Sequence, residues 1–177
     1  MSRARLVGVL ILVASLSAAA GYFVRTWWGQ PGTEPVAGNA ENLPSFSLPD
    51  VDGQLHSQGD WAGKILFINF WATWCPPCLR EIPAFIELQQ QYGKQGVQFL
   101  GIAIDEREEV ADFMESMGIN YTVLVGADDA IALGVQLGNT LGVLPFTAVV
   151  DRAGRVVATQ KGELPRERAE QLIKELM

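Results

Sequence analysis

The nearly continuous apolar run Ile65–Trp71 constrains the fold more than any other stretch of the chain. A strand that is apolar on both faces belongs in the middle of a sheet that is covered on both sides. The residues that follow, 75–92, carry apolar side chains at helical spacing, so we expect a helix there. The sequence therefore predicts an α/β domain in which a buried strand leads directly into a helix.

Further elements are predicted on both sides of this junction. They are a hairpin turning at Asp52-Gly53, a buried strand at residues 97–104, an amphipathic helix at 108–117, a strand at 121–125, a hairpin turning at 151–154 and a closing helix at 165–176. Residues 130–141 stay ambiguous, because Gly134, Gly138 and Gly142 weaken any helix there. This order predicts a central mixed β-sheet flanked by helices, with an N-terminal β-hairpin extension.

An apolar run at residues 6–24 stands near the N-terminus, preceded by Arg3 and Arg5. As a helix it would be about 28 Å long, close to the thickness of the hydrocarbon core of a bilayer. We therefore expect residues 1–25 to be an N-terminal membrane anchor whose first residues stay cytoplasmic. The alternative is a signal peptide cleaved near Ala18-Ala19-Ala20. Either interpretation exports the rest of the chain.

The remaining chain is expected to be one linker and one domain. Residues 26–42 are rich in Gly, Pro, Glu and Asn towards their end and are predicted to be a flexible linker. The globular pattern begins at residue 43, so the domain is expected to be 43–177. Depending on the fate of the N-terminus, this domain is anchored to the cytoplasmic membrane on its periplasmic or outer side, or is soluble in the periplasm.

Net charge and cysteine content exclude several classes of function. The net charge of −7 argues against nucleic-acid binding, which depends on basic surfaces. Only two cysteines are present, Cys75 and Cys78, too few for a disulfide scaffold. With His56 as the one histidine they also fall short of a zinc site, so no metal is expected. Redox chemistry is the economical explanation of the pair.

Cys75 and Cys78 stand where the buried strand meets the helix. The N-terminus of a helix presents unpaired N–H groups and a partial positive charge, which lower the pKa of a thiol placed there. We therefore expect Cys75 to be the exposed nucleophile. Cys78, one turn later on the same face, would be the buried thiol that closes the disulfide. Pro76 lies in the first helical turn, where its missing N–H is tolerated.

The segment 70–78, with Trp74-Cys75-Pro76-Pro77-Cys78 at its end, resembles the active-site segment of thioredoxins. Together with residues 80–83, it looks like the membrane-anchored TlpA/ResA/DsbE-type reductases. The resemblance implies a thioredoxin-like fold over residues 43–177 and a protein-disulfide reductase whose only redox group is the Cys75–Cys78 disulfide, with no further cofactor. It also implies that Pro83 kinks the helix.

The same resemblance implies roles for several neighbours of the cysteines. Pro145 matches a cis proline beside the cysteine pair, and Leu144 would offer its backbone to an extended client segment. With Trp74 and Pro76, these residues are the expected client-binding surface. The alternative for Pro145 is a proline that opens an edge strand.

Asn69 departs from thioredoxin, where an aspartate thought to move protons occupies the matching position. Glu81, which matches a glutamate of the ResA-like branch, is expected to replace it as a catalytic group, because it lies one helical turn after Cys78. The alternative is a solvated glutamate on the helix surface. His56 stands in a polar loop and has no predicted role, and residues 105–109 and 128–129 are expected to be helix-start or solvated charges.

The predicted function is reduction of cysteines in exported client proteins. The resemblance implies apocytochrome c or copper-site proteins as clients, and a membrane protein of the DsbD/CcdA type as the electron donor. Two alternatives remain. One is an oxidase that donates disulfides, and the other is a copper-binding or assembly module that uses the thiols as soft ligands.

Overall fold

Strand β4, Ile65–Trp71, is the centre of the molecule, and all seven of its residues are buried. The computed structural model describes residues 34–35, as backbone only, and 42–177. Within them, β4 shares a six-stranded sheet with β1 (Glu34–Pro35), β5 (Val97–Ala103), β6 (Thr122–Val125), β7 (Phe146–Val150) and β8 (Val156–Lys161). The order of the strands in this sheet is β1-β8-β7-β4-β5-β6.

The sheet is mixed, as the sequence predicts. Strand β4 runs parallel to β5 and antiparallel to β7, and β5 runs parallel to β6. Strands β7 and β8 form the predicted antiparallel hairpin. The helices are α1 (Pro76–Tyr92), α2 (Arg107–Met117), α3 (Asp128–Gln136) and α4 (Arg166–Leu176).

Helices cover both faces of the sheet because successive residues of β4 point to opposite sides. Phe67 and Trp71 belong to a hydrophobic cluster that includes buried residues of α1, α2 and α4. Ile68 and Phe70 belong to a second cluster, which includes Ala130 and Leu133 of α3. The predicted thioredoxin-like α/β fold is therefore confirmed.

The N-terminal hairpin extension consists of β2 (Ser47–Pro49) and β3 (Leu55–Ser57). Gly53 occupies its turn with φ at 85°, a conformation that glycine adopts without steric cost. Leu48 of β2 is buried in the second hydrophobic cluster. Asp50 pairs with Leu124 in an isolated bridge, so the hairpin is joined to the edge of the main sheet.

His56 has partners that the sequence did not reveal. Its Nε2 lies 3.1 Å from Asp50 Oδ2, and its Nδ1 lies 3.0 Å from Asp60 Oδ2. The ring also stacks on Trp61, with centroids 5.7 Å apart. Burial alone would lower the pKa of His56, but the hydrogen bonds and charges of Asp50 and Asp60 raise it overall. His56 therefore fastens the hairpin to the domain.

Two other stretches differ from the sequence-based expectation. Helix α3 covers residues 130–136 of the ambiguous stretch in spite of Gly134, and its buried Ala130 and Leu133 pack in the second hydrophobic cluster. In the predicted linker, Glu34 and Pro35 form β1 and pair with β8. Asn42 pairs with Arg155 in a bridge, so sheet pairing extends into that stretch of the chain.

The predicted membrane anchor, residues 1–25, lies outside the described residues. Within the described part of the chain, no helix is long and apolar enough to cross a membrane. All described residues belong to one compact unit, Thr33–Met177. The anchor and the boundaries of linker and domain therefore stay predictions.

Candidate active site

Cys75 is the residue at which β4 and its following turn pass into helix α1. It occupies the N-cap position with φ at −99° and ψ at 98°. Its carbonyl accepts hydrogen bonds from the N–H groups of Cys78, at 3.0 Å, and Leu79, at 3.2 Å. Pro76 and Pro77 fill the first turn. Backbone N–H groups have no acceptor within the helix at these positions, so the N–H that proline lacks is not needed. The sulfur of Cys75 thus stands at the positive end of the helix.

Cys75 and Cys78 form a disulfide with their Cα atoms 5.3 Å apart. Cys78 is completely buried, and Cys75 is 5% exposed. The expectation of an exposed Cys75 is therefore wrong for the disulfide form, because the bond to Cys78 holds both sulfurs against the hydrophobic cluster beneath α1. Of the two residues, only Cys75 keeps a small exposed fraction, which agrees with its expected role as the first to react with a client.

The turn before Cys75 is held by Asp105. Its Oδ2 accepts hydrogen bonds from the backbone N–H of Thr73, at 3.0 Å, and from the Thr73 hydroxyl. Burial raises the pKa of Asp105, but the bonds from Thr73 outweigh this effect and lower it overall. Asp105 is thus more than the helix-start or solvated charge that we expected. Because parallel strands end at the same edge of a sheet, its position after β5 could have revealed this proximity.

Glu81 is buried in α1, one turn after Cys78, with only 2% of its surface exposed. Its Oε1 accepts a hydrogen bond of 2.7 Å from Asn69 Nδ2 of β4, and its Oε2 accepts one of 2.7 Å from the N–H of Leu164. Burial raises the pKa of Glu81 to about 8, although these two hydrogen bonds lower it; the nearby Glu163 charge raises it further. The alternative of a solvated surface glutamate is therefore excluded.

Asn69 is the polar residue of β4 that faces Glu81, and it is 2% exposed. Its Nδ2 also donates to Thr147 Oγ1 of β7, at 3.0 Å. Its Oδ1 is buried and has no hydrogen-bond partner among the described residues. Sequence analysis identified Asn69 only as a departure from thioredoxin and did not identify Thr147.

Pro145 lies beside the junction because β7 pairs antiparallel with β4, with Phe146 opposite Phe70. Residues before Phe146 therefore lie at the end of β4 that leads to Cys75. The Leu144–Pro145 peptide bond is cis, as the resemblance implies. The Pro145 carbonyl accepts a hydrogen bond of 2.8 Å from the N–H of Gly162, which places that glycine at the site too.

An apolar cleft of about 230 Å³ opens next to these residues. Trp74, which is 66% exposed, and the half-buried Leu144 belong to its wall. Trp71, by contrast, is buried and packs on Phe113, with ring centroids 5.3 Å apart. The full lining consists of Phe70, Trp74, Ile104, Ala130, Ile131, Gly134, Asn139, Gly142 and Leu144.

Asn139 shapes the loop that closes the cleft. Its Nδ2 donates to the Val143 carbonyl and its Oδ1 accepts from the Val143 N–H, both at 2.9 Å. On the outer side of the site, Pro76 is exposed. The structure therefore places all the residues of the predicted client surface around the N-terminus of α1. Within the described residues, no cluster of three or more His, Cys, Asp and Glu side chains could hold a metal ion.

Comparison with known proteins places these features in a family context. Residues 37–173 match the model of the Redoxin family. The thiol-disulfide oxidoreductase ResA of Geobacillus thermodenitrificans is 34% identical over 166 residues, which cover 92% of this chain and 91% of the relative. ResA of Bacillus cereus is 30% identical over 179 residues, which cover 99% of both chains.

A solved structure is similar in fold. It is a thiol:disulfide interchange protein of the thioredoxin family from Chlorobium tepidum, with a TM-score of 0.72 and 29% identity. The match covers 80% of this chain and 99% of that one. The comparisons therefore associate the fold and the cysteine pair with thiol–disulfide exchange.

The position of the two cysteines predicts their order of reaction. In the reduced protein, Cys75 should be alkylated by iodoacetamide about ten times faster than Cys78 at pH 6–7, because the helix N-terminus stabilises its thiolate. Peptide mapping by mass spectrometry after brief labelling measures both rates. Labelling of the urea-unfolded protein, where the two thiols should react alike, is the control. Faster labelling of Cys78 in the folded protein would reverse the assignment.

Proposed function

The chain belongs to the Redoxin family and is a thiol–disulfide oxidoreductase of the ResA type, and we propose that it works as a reductase of exported proteins. The observation that favours reduction of clients over their oxidation is the burial of Glu81 one turn after Cys78. A disulfide donor needs a strongly stabilised thiolate. Glu81 carries either no charge or a negative one, so it does not stabilise a thiolate nearby, and Arg80, the cation next to Glu81 in sequence, is paired with Glu163 at 2.9 Å.

We infer the following reaction. The Cys75 thiolate attacks one sulfur of a client disulfide, and the other client sulfur leaves as a thiolate that takes a proton from water. Cys78 then attacks the Cys75 sulfur of the mixed disulfide and displaces the first client sulfur. Two electrons pass from the cysteine pair to the client, and the Cys75–Cys78 disulfide forms.

Glu81 is the proposed acceptor for the proton that Cys78 must lose before it attacks. A carboxyl group with a pKa of about 8 lies close to an ordinary thiol in proton affinity, so transfer between them costs little free energy. Asn69 cannot take up this proton, since a side-chain amide does not titrate. Glu81 therefore has the catalytic role that an aspartate is thought to have in thioredoxins.

The client is proposed to bind across Trp74, Pro76, Leu144 and Pro145. The backbone of Leu144 would pair with an extended client segment, as in strand addition. Beside it, the apolar cleft has room for one large aliphatic or aromatic side chain of that segment. Clients should therefore carry an apolar residue close to the reacting cysteine.

Location and partners are further parts of the proposal. We propose that residues 1–25 anchor the protein in the cytoplasmic membrane, because residues 6–24 are apolar and follow two arginines. The domain would then face the periplasm or the outer surface. There it would reduce cysteines of apocytochrome c or of copper-site proteins. A membrane protein of the DsbD/CcdA type would then reduce the Cys75–Cys78 disulfide again.

The direction of the reaction is tested by redox equilibrium and by trapping. The reduction potential of the Cys75–Cys78 couple against glutathione should lie nearer to about −270 mV than to about −120 mV. In cell envelopes, a Cys78→Ala variant should accumulate mixed disulfides with client proteins, while Cys75→Ala should not. A potential near that of strong oxidants would instead support the oxidase alternative.

A Glu81→Gln variant tests the proton acceptor. In the wild type, Glu81 is protonated below pH 8 and ionised above it, so the rate of mixed-disulfide resolution should rise as the pH passes through about 8. The variant should lose the component of the rise with a midpoint at about 8 and be about tenfold slower at pH 7.5, where an ordinary thiol is still mostly protonated. Stopped-flow fluorescence with a disulfide peptide measures the rate.

Glu87→Gln, on the same helix but paired with Arg166 at the surface, is the matched control. Identical pH profiles for Glu81→Gln and wild type would remove Glu81 from the reaction.

A Trp74→Ala variant tests the client surface. It should raise the KM for a protein client about tenfold, because a loss of about 1.4 kcal/mol of contact energy corresponds to that factor. The rate with a small linear disulfide such as bis(2-hydroxyethyl) disulfide should stay within about twofold, since that substrate does not reach the cleft. Leu55→Ala removes another exposed side chain, which is not part of the cleft, and is the control. Equal losses with both substrates would mean that Trp74 acts on Cys75 rather than on the client.

A further inference from the structure

Three polar side chains form a small group inside the hydrophobic core behind the disulfide. Asn69 and Glu81 are each 2% exposed, and Thr147 is fully buried. The Asn69 amide lies in the middle, because its Nδ2 donates both to Glu81 Oε1 at 2.7 Å and to Thr147 Oγ1 at 3.0 Å. The Leu164 N–H completes the group from the other side of the carboxyl.

This hydrogen-bond arrangement suits the ionised form of Glu81. Each carboxylate oxygen receives an N–H, one from Asn69 and one from Leu164. Once Glu81 takes up a proton, its new O–H needs an acceptor, and both of these partners are donors. A buried hydroxyl without an acceptor is costly in free energy.

The missing acceptor is present in the same amide. Asn69 Oδ1 is buried and has no hydrogen-bond partner among the described residues. A rotation of the amide by about 180° exchanges the positions of its oxygen and its nitrogen. Oδ1 would then face both Glu81 and Thr147, and it can accept a hydrogen bond from each. The Thr147 hydroxyl fits either arrangement, since it can accept as well as donate.

We propose that the Asn69 amide turns over when Glu81 changes its protonation state. It donates to the carboxylate in one orientation and accepts from the carboxylic acid in the other. Either orientation leaves one end of the amide unpaired, so the proton on Glu81 decides between them. Asn69 is thus a positioning residue, and Thr147 is the partner that permits both states.

The consequence is a buried acid that is hydrogen-bonded in both protonation states. Glu81 can then gain and lose a proton without a reorganisation of helix α1. The charges around it are Glu163, which raises the pKa of Glu81, and its ion-pair partner Arg80. Tyr121 also lies within electrostatic reach, and burial raises its pKa, so it stays neutral. The disulfide carries no charge.

The amide can be observed directly by NMR on the oxidised full-length protein, with no client present. Above the pH at which Glu81 titrates, the Asn69 side-chain NH₂ protons should show nuclear Overhauser contacts to the Thr147 side chain. Below that pH these contacts should weaken strongly, with the same midpoint as the Glu81 carboxyl signal. In Glu81→Gln, they should not change with pH. Unchanged contacts across the Glu81 titration in the wild type would overturn the proposal.

Variants give a second readout. Asn69→Leu should move the Glu81 midpoint upward by about one pH unit, because a hydrogen bond to the charged form is stronger than one to the neutral form. Thr147→Ser keeps a hydroxyl that can donate or accept, and should keep the wild-type behaviour. An unchanged midpoint in Asn69→Leu would also contradict the proposal.

The inference rests on the proposed function only for its use in catalysis, and the two can fail separately. If Glu81→Gln slows client reduction while the amide stays fixed, the function stands and the turnover is wrong. If the amide turns over but Glu81→Gln reduces clients at the wild-type rate, the turnover stands and the proposed role of Glu81 is wrong.

Discussion

The hydrogen bonds to the buried Glu81 carboxyl join the three parts of the chain that make the site. Asn69 belongs to the central strand, Glu81 to the helix that carries both cysteines, and Leu164 to the segment that leads into the last helix. Burial of a carboxylate costs several kcal/mol unless donors replace water. Strand, helix and loop are therefore held in the one arrangement that supplies both donors, and this arrangement also holds Cys78 within the core.

The alternation of side chains along β4 separates the two tasks of the site. Asn69 points to the face covered by α1 and contacts the buried acid. Its neighbour Phe70 points to the opposite face and lines the apolar cleft. The proton would therefore be handled inside the core, away from water, while the client is bound at the surface between Trp74 and α3. The disulfide lies where the two regions meet, at the N-terminus of α1.

Sequence analysis could predict what depends on local pattern. The apolar run of β4, the cysteines at the start of α1, both hairpins and the burial of Trp71 follow from periodicity and turn residues. Contacts between residues far apart in sequence could not be predicted in the same way. Asn69 and Thr147 are 78 positions apart, and Glu81 and Leu164 are 83 apart. The contacts of His56 could not be predicted, because Asp50 and Asp60 become its neighbours only when the hairpin and the following 3₁₀ turn form. Helix α3 could not be predicted because Gly134 costs helix propensity, and the packing of Ala130 and Leu133 that outweighs this cost is a tertiary contact.

The central claim is that Glu81 is a buried acid whose proton affinity is matched to a thiol. The most direct measurement is the ¹³C chemical shift of its side-chain carboxyl carbon, followed from pH 4 to pH 10 in the oxidised protein, in which no thiol titrates. The Glu81→Gln variant assigns the signal. We expect one transition with a midpoint at about 8. A midpoint close to 4.5, the ordinary value for glutamate, would contradict it and would leave Cys78 without an internal proton acceptor.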